Sequence, residues 1–150
     1  MEHHDRERVM LQMEYLYGRA MITFVEKLGV RDPALIPAFP TLPTDLGGPY
    51  VKVGPDGIWI IYVERGQEFN QQKFLSIDDA LCELCTAQLS SLMYTWEKSY
   101  VHLGQMMRRH SFEKQLEVLA AVSPKWAERK RERAAERIRL LPDVGGIGMV

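Results

Sequence analysis

Two cysteines stand three residues apart in Cys82-Glu-Leu-Cys85. That spacing suits half of a metal site or a thiol–disulfide pair. A structural zinc site needs about four ligands, and only His102 or His110 could complete one here. A redox pair should open a helix directly after a strand. Here the helical pattern begins about five residues earlier, and both cysteines lie on its apolar stripe. The spacing therefore predicts core packing. His3 and His4 are adjacent in a polar N-terminal segment and take no role. His102 and His110 flank a turn between helices, but nucleophilic catalysis needs a base within reach of a suitably held Ser or Cys, and no Ser or Cys here sits in a turn of that kind. The chain carries no phosphate-cradling glycine loop, no G-x-G-x-x-G after a strand and no H-E-x-x-H. The "GGIG" at 145–148 follows a helical pattern and belongs to a tail. Asp78 and Asp79 read as first-turn helix charges. No metal, no cofactor and no catalytic residue is expected. The remaining cluster is Glu64, Arg65 and Glu68, which fits either a turn held by a local ion pair or an exposed recognition edge of mixed charge.

The elements that must position these residues follow from periodicity. Val9, Met13, Leu16, Ala20, Phe24 and Leu28 recur at steps of three and four, which predicts a helix over 6–28 capped by Gly29. Gly18 inside it leaves room for a close helix contact. The proline-rich stretch 31–49 predicts an ordered surface loop with a short turn at "DPALI". "YVKV", "GPDG" and "IWIIYVERG" predict a hairpin, with Gly57 in the left-handed position. Residues 58–63 are apolar on both faces, so that strand should be central. "EFNQQKFLS" (68–76) is a weaker third strand, and its Lys73 suits an edge. Ser76 to Asp79 form a capping box ahead of an apolar run. The helix that follows, over 77–103, places Cys82, Cys85, Leu89, Met93, Trp96, Tyr100 and Leu103 on one stripe, widened by Ile77, Leu81, Leu84 and Leu92. Another helix starts near Ser111 with Phe112, Leu116, Leu119 and Val122 inward, and a last one spans about 124–141 behind Ser123-Pro124. The expected fold is α+β: a small antiparallel sheet of about three strands, one N-terminal helix and four mainly C-terminal helices, packed around a long central helix. Residues 1–150 should form a single domain, with 1–5 and 143–150 as flexible tails.

The bulk numbers narrow the function. The 150 residues are 46% hydrophobic and 26% charged, with a net charge of −1. Such balance argues against a dedicated nucleic-acid binder. Charge is uneven, however: residues 1–100 carry 9 Lys/Arg against 14 Asp/Glu, and residues 101–150 carry 10 against 6. Two faces of opposite sign suit protein docking. Residues 123–138, "SPKWAERKRERAAERI", interleave Glu128, Glu132 and Glu136 with Arg129, Arg133 and Arg137. Pairs at i, i+3 such as Arg129–Glu132 and Arg133–Glu136 make this the solvated side of a helix, not a phosphate clamp. Ala127, Ala134, Ile138 and Leu141 form its thin apolar stripe, with Trp126 at the edge. Two cysteines build no disulfide framework, and eight methionines fit a reducing compartment. No apolar run approaches the roughly 18 residues that span a bilayer, and the start "MEHHDRERVM" lacks the apolar core of a secretion signal. A cytoplasmic protein that does not bind membranes is expected.

"DPALIPAFP" (32–40), "YVERGQE" (62–68), "SIDDALCEL" (76–84) and "FEKQLEVLAAVSPKWAERKRERAAERI" (112–138) together resemble the immunity protein 63 family of bacteria. The similarity runs in order over roughly residues 10–143. Glu64-Arg65-Gly66 with Glu68, and Ser123 to Arg129, are its most specific pieces. The chain departs from the pattern at "CELCTAQLSSL" and in the loop 41–49. The resemblance implies a protein encoded beside a polymorphic toxin, one that binds the cognate toxin domain and blocks it without catalysing a reaction. Asp45, Asp56, Glu64, Arg65 and Glu68 are then the candidate partner-binding residues, presenting acidic charge to a basic toxin cleft. A toxin domain and a second copy of this chain are the partners expected; nucleic acid, membrane and small-molecule substrates are not. A non-catalytic adaptor or homodimeric scaffold, using Met10, Met13 and Met21 as an adaptable groove, is the alternative. Turnover dependent on His102 or His110 would mark an enzyme instead.

Overall fold

The computed structural model describes residues 3–98 and 107–140. Among these residues the chain is α+β, with four α-helices and one three-stranded antiparallel sheet. Helix α1 spans His3–Leu28, strand β1 Gly48–Gly54, β2 Gly57–Glu64 and β3 Gln67–Phe74; helices α2, α3 and α4 span Ile77–Lys98, Met107–Val122 and Pro124–Leu140. Residues group into two compact units, one of Met1–Ile22 with Asp32–Gln88 and one of Thr23–Arg31 with Leu89–Val150.

In the first unit, β2 pairs with β1 on one side and β3 on the other, as its apolar residues on both faces require. Ile58 and Ile60 are buried on one face, Ile61 on the other. The first face meets α2: the buried Glu83 carboxylate accepts hydrogen bonds from Tyr62 Oη at 2.7 Å and Gln72 Nε2 at 3.2 Å. Strand β3 is exposed along most of its length, which its polar sequence tolerates. Ser76 Oγ accepts from the Asp79 N–H at 3.1 Å, the cap that the sequence indicates for α2. The proline-rich loop is ordered, with a 3-10 turn at Pro33–Leu35 capped by Asp32. Tyr17 on α1 pins this loop: its hydroxyl donates to Pro37 O at 2.8 Å, and its ring lies 5.4 Å from Phe39. Burial pushes the Tyr17 hydroxyl's pKa well above the ordinary phenol value.

In the second unit, α3 and α4 pack together, joined by Ser123 alone. Ser123 is held by its N–H to Leu119 O at 2.8 Å. Leu89, Leu92, Met93, Trp96, Val118, Leu119, Trp126, Ala127 and Ala134 are buried here.

Several expectations need correction. Five helices were expected, and the described residues hold four α-helices. The central helix expected over 77–103 is described as α2 over Ile77–Lys98, 22 residues, beside an α1 of 26. Helix α1 begins at His3, inside the expected tail, with Asp5 in its first turn, where an acidic side chain favours the helix dipole. Helix α3 starts at Met107, four residues before Ser111. Ser111 lies inside the helix as a buried anchor, donating to Glu97 Oε1 at 2.6 Å. Tyr17, Met21 and Val118 are buried although they lie off the single stripes read from spacing. Trp126 is inside and Ile138 is exposed, so α4 buries its first turn more than its last. The expectations for Tyr100, His102, Leu103, Leu141 and the tail 143–150 lie outside the described residues.

Two glycines differ in what they do. A Cβ at Gly18 would meet nothing within 4 Å, so no close helix contact exists there. Gly57 has φ +154°, and a Cβ would sit 2.9 Å from Phe74 O. That is not the left-handed turn position expected, but the start of β2 pressed against β3. Gly18→Ala should therefore raise stability by about 1 kcal/mol, whereas Gly57→Ala should lower it by roughly 1–3 kcal/mol. Urea midpoints of the two variants should move in opposite directions.

Candidate functional site

The β2–β3 connection is a two-residue turn, with Glu64 paired to Gln67 across it. Arg65 and Gly66 both have positive φ, +52° and +77°. That combination defines the hairpin turn matching strand twist, and asparagine is its usual first residue. An arginine there carries backbone strain of about 1 kcal/mol or more. Among the described residues, no ion pair ties Arg65 to Glu64 or Glu68. The local-ion-pair reading of this cluster therefore has no geometric support, and the strained cation projects into solvent.

One turn further on, the β2–β3 register slips: Tyr62 pairs with Asn70 but Val63 pairs with Glu68. Phe69 is the extra residue of this bulge. Its ring is 62% exposed and lies 6.2 Å from the ring of Tyr62. Bulges re-aim a side chain in this way. Glu64, Arg65, Gln67, Glu68 and Phe69 line a shallow, open depression of about 380 Å³. Glu68 is fixed by Tyr50, whose hydroxyl donates to Glu68 Oε1 at 2.8 Å across β2. That bond raises the pKa of Tyr50. Sequence reasoning missed Phe69, because the two-residue alternation of a weak strand does not reveal a bulge.

The candidate residues separate into two groups. Asp45 lies exposed in the turn closed by Gly47 N–H to Thr44 O at 3.0 Å, just before Gly48 pairs with Val63. It thus shares the sheet end that carries Glu64, Arg65 and Glu68. Asp56 lies at the opposite end, eight strand steps from Glu64, or roughly 26 Å. There it accepts from Trp59 Nε1 at 3.2 Å and sits 3.9 Å from Lys73 Nζ. The Trp59 indole N–H first, and Lys73 less strongly, hold its carboxyl below the ordinary Asp value.

Elsewhere the chemistry is quiet. Cys82 and Cys85 are buried and not joined in a disulfide, and burial pushes the Cys85 thiol up, away from reactivity. His110 lies 5.4 Å from the Trp96 ring. Among the described residues, no three His, Cys, Asp or Glu side chains converge as a metal site would need, and no helix is long and apolar enough to cross a membrane. Met13 and Met21 are buried and Met10 is half-buried, so of the three methionines only Met10 reaches the surface. On α4, Arg131 pairs with Glu128 at 3.0 Å. Lys130 is half-buried, 5.9 Å from the Phe112 ring centre. Burial, then Arg137 and Arg133, lower its pKa.

The sequence matches the model of the Immunity protein 63 family over residues 55–136. The match covers more than half of the chain and runs from the β1–β2 turn into α4. The chain belongs to the Immunity protein 63 family. No curated protein and no solved structure matches it.

Arg65→Gly should stabilise the free protein by about 1 kcal/mol by relieving the backbone at φ +52°, which chemical denaturation would register. Asp56 should make stability depend on acid. Its folded pKa is depressed, so its contribution is present above the unfolded value near 4 and is lost as pH falls through the folded value. Asp56→Asn should flatten that part of the stability–pH curve.

Proposed function

We propose that this protein binds and neutralises the toxin domain encoded beside it, through the end of the sheet that carries Asp45, Glu64, Arg65, Glu68 and Phe69. Membership of an immunity-protein family is the observation that carries this reading. The hairpin tip adds a physical reason. Arginine and aromatic side chains dominate binding energy at interface centres; here Arg65 stands exposed on a turn whose strain is stored before any partner arrives, and Phe69 stands exposed on the bulge beside it. The three carboxylates around them give a basic cleft something to recognise. Inhibition by cover needs no reaction; an interface of about 1,600 Å² suffices, and nuclease–immunity pairs are among the tightest complexes known. The protein acts in the cytoplasm of the producing cell, as a binder and not an enzyme. Asp56, occupied by Trp59 and Lys73 at the far end of the sheet, contributes less to this contact than the other four candidates.

Charge reversal tests the assignment. Glu64→Lys with Glu68→Lys should weaken toxin binding at least tenfold, about 1.4 kcal/mol. It should also change the salt dependence of the association rate. Co-expression with the neighbouring toxin domain should then fail to restore growth. Unchanged affinity and full protection would remove this edge from the interface.

A further inference from the structure

A second surface lies at the other end of the sheet. The first turns of α1 and the end of β1 bound an open groove of about 540 Å³, floored by Met10, Leu11, Val51 and Val53 and rimmed by Arg6 and Lys52. Glu7, also on the rim, has a partner of its own. Leu11 is 68% exposed. Two features show what the groove lacks. The first is a strand. Val51 turns its N–H away from β2, donating to Pro40 O at 2.9 Å. Val53 stands two residues on and turns its own N–H and C=O the same way; among the described residues no hydrogen bond to them is present. The second is an anion. Arg6 Nε is buried and has no hydrogen-bond partner among the described residues. A buried, unpaired guanidinium nitrogen is costly, and a carboxylate is the group that fits its fork.

We propose that this groove is a strand-addition site for an extended segment of a partner protein, one that carries a carboxylate beside apolar side chains. The segment's backbone pairs with Val53, its apolar side chains rest on Met10 and Leu11, and its carboxylate meets Arg6. Lys52 adds favourable charge at the rim. Backbone pairing gives affinity and the alternate side chains give selectivity. The site is independent of the hairpin tip, so failure at either surface leaves the other standing.

The probe is an acetylated, amidated heptapeptide of alternating threonine and valine with aspartate at its centre, titrated into the isotope-labelled full chain and followed by NMR. Saturable shifts should appear at Val53 and Arg6, and exchange of the Val53 N–H should slow. A lysine-centred peptide should bind about tenfold more weakly, as should the aspartate peptide to Arg6→Ala. Val53→Pro removes the edge donor and should abolish binding, with the rest of the spectrum preserved because an edge strand tolerates proline. No saturable shift at Val53 at millimolar peptide would overturn the proposal. So would equal binding of the lysine peptide, or undiminished binding to Arg6→Ala. A dimer of the free chain that Val53→Pro dissolves would assign the edge to a second copy and overturn it as well.

Discussion

One buried carboxylate holds the hairpin on which the proposed binding edge is built. Glu83 lies on α2 and accepts hydrogen bonds from both Tyr62 of β2 and Gln72 of β3. Two strands are thereby tied to one helix through one side chain. Hydrogen bonds to a charged group contribute more than neutral ones, roughly 1.5–3 kcal/mol each. A buried carboxylate without them would be severely destabilising. The consequence is directional: the same hairpin ends in the Arg65 turn, so α2 sets where that turn points.

Rigidity of this kind matters for inhibition by cover. A binder that must order its own loop on contact loses affinity to that ordering. Here Tyr50 reaches across β2 to hold Glu68, and the bulge at Phe69 fixes an aromatic ring beside it. Strain at Arg65 fits the same picture. A non-glycine residue in the left-handed region persists only where its surroundings enforce it, and the paired strands on both sides of the turn do so.

Much of this was legible in the residues. Apolar side chains on both faces of 58–63 require a strand with neighbours on each side, and β2 has them. The capping box at Ser76, the Gly29 end of α1 and the Ser123-Pro124 start of α4 act locally, so local sequence reports them. Other features depend on partners distant in sequence. Nothing near Ser111 says that its hydroxyl bonds Glu97 on another helix. A one-residue slip beside Phe69 leaves the alternation of β3 almost unchanged, so the bulge was invisible. The turn at Arg65-Gly66 lacks the asparagine that usually announces it. Asp45 and Asp56 look equivalent as exposed acids, yet β2 places them at opposite ends of the sheet. The cluster Glu64, Arg65 and Glu68 was readable because it is contiguous in the chain.

Hydrogen exchange on the complex with the neighbouring toxin domain tests the central claim most directly. Slowed exchange of amides 64–69 and 45–47 on complex formation, with little change in α4, is the result the account predicts. A stable complex that leaves those amides exchanging as fast as in the free chain would contradict it.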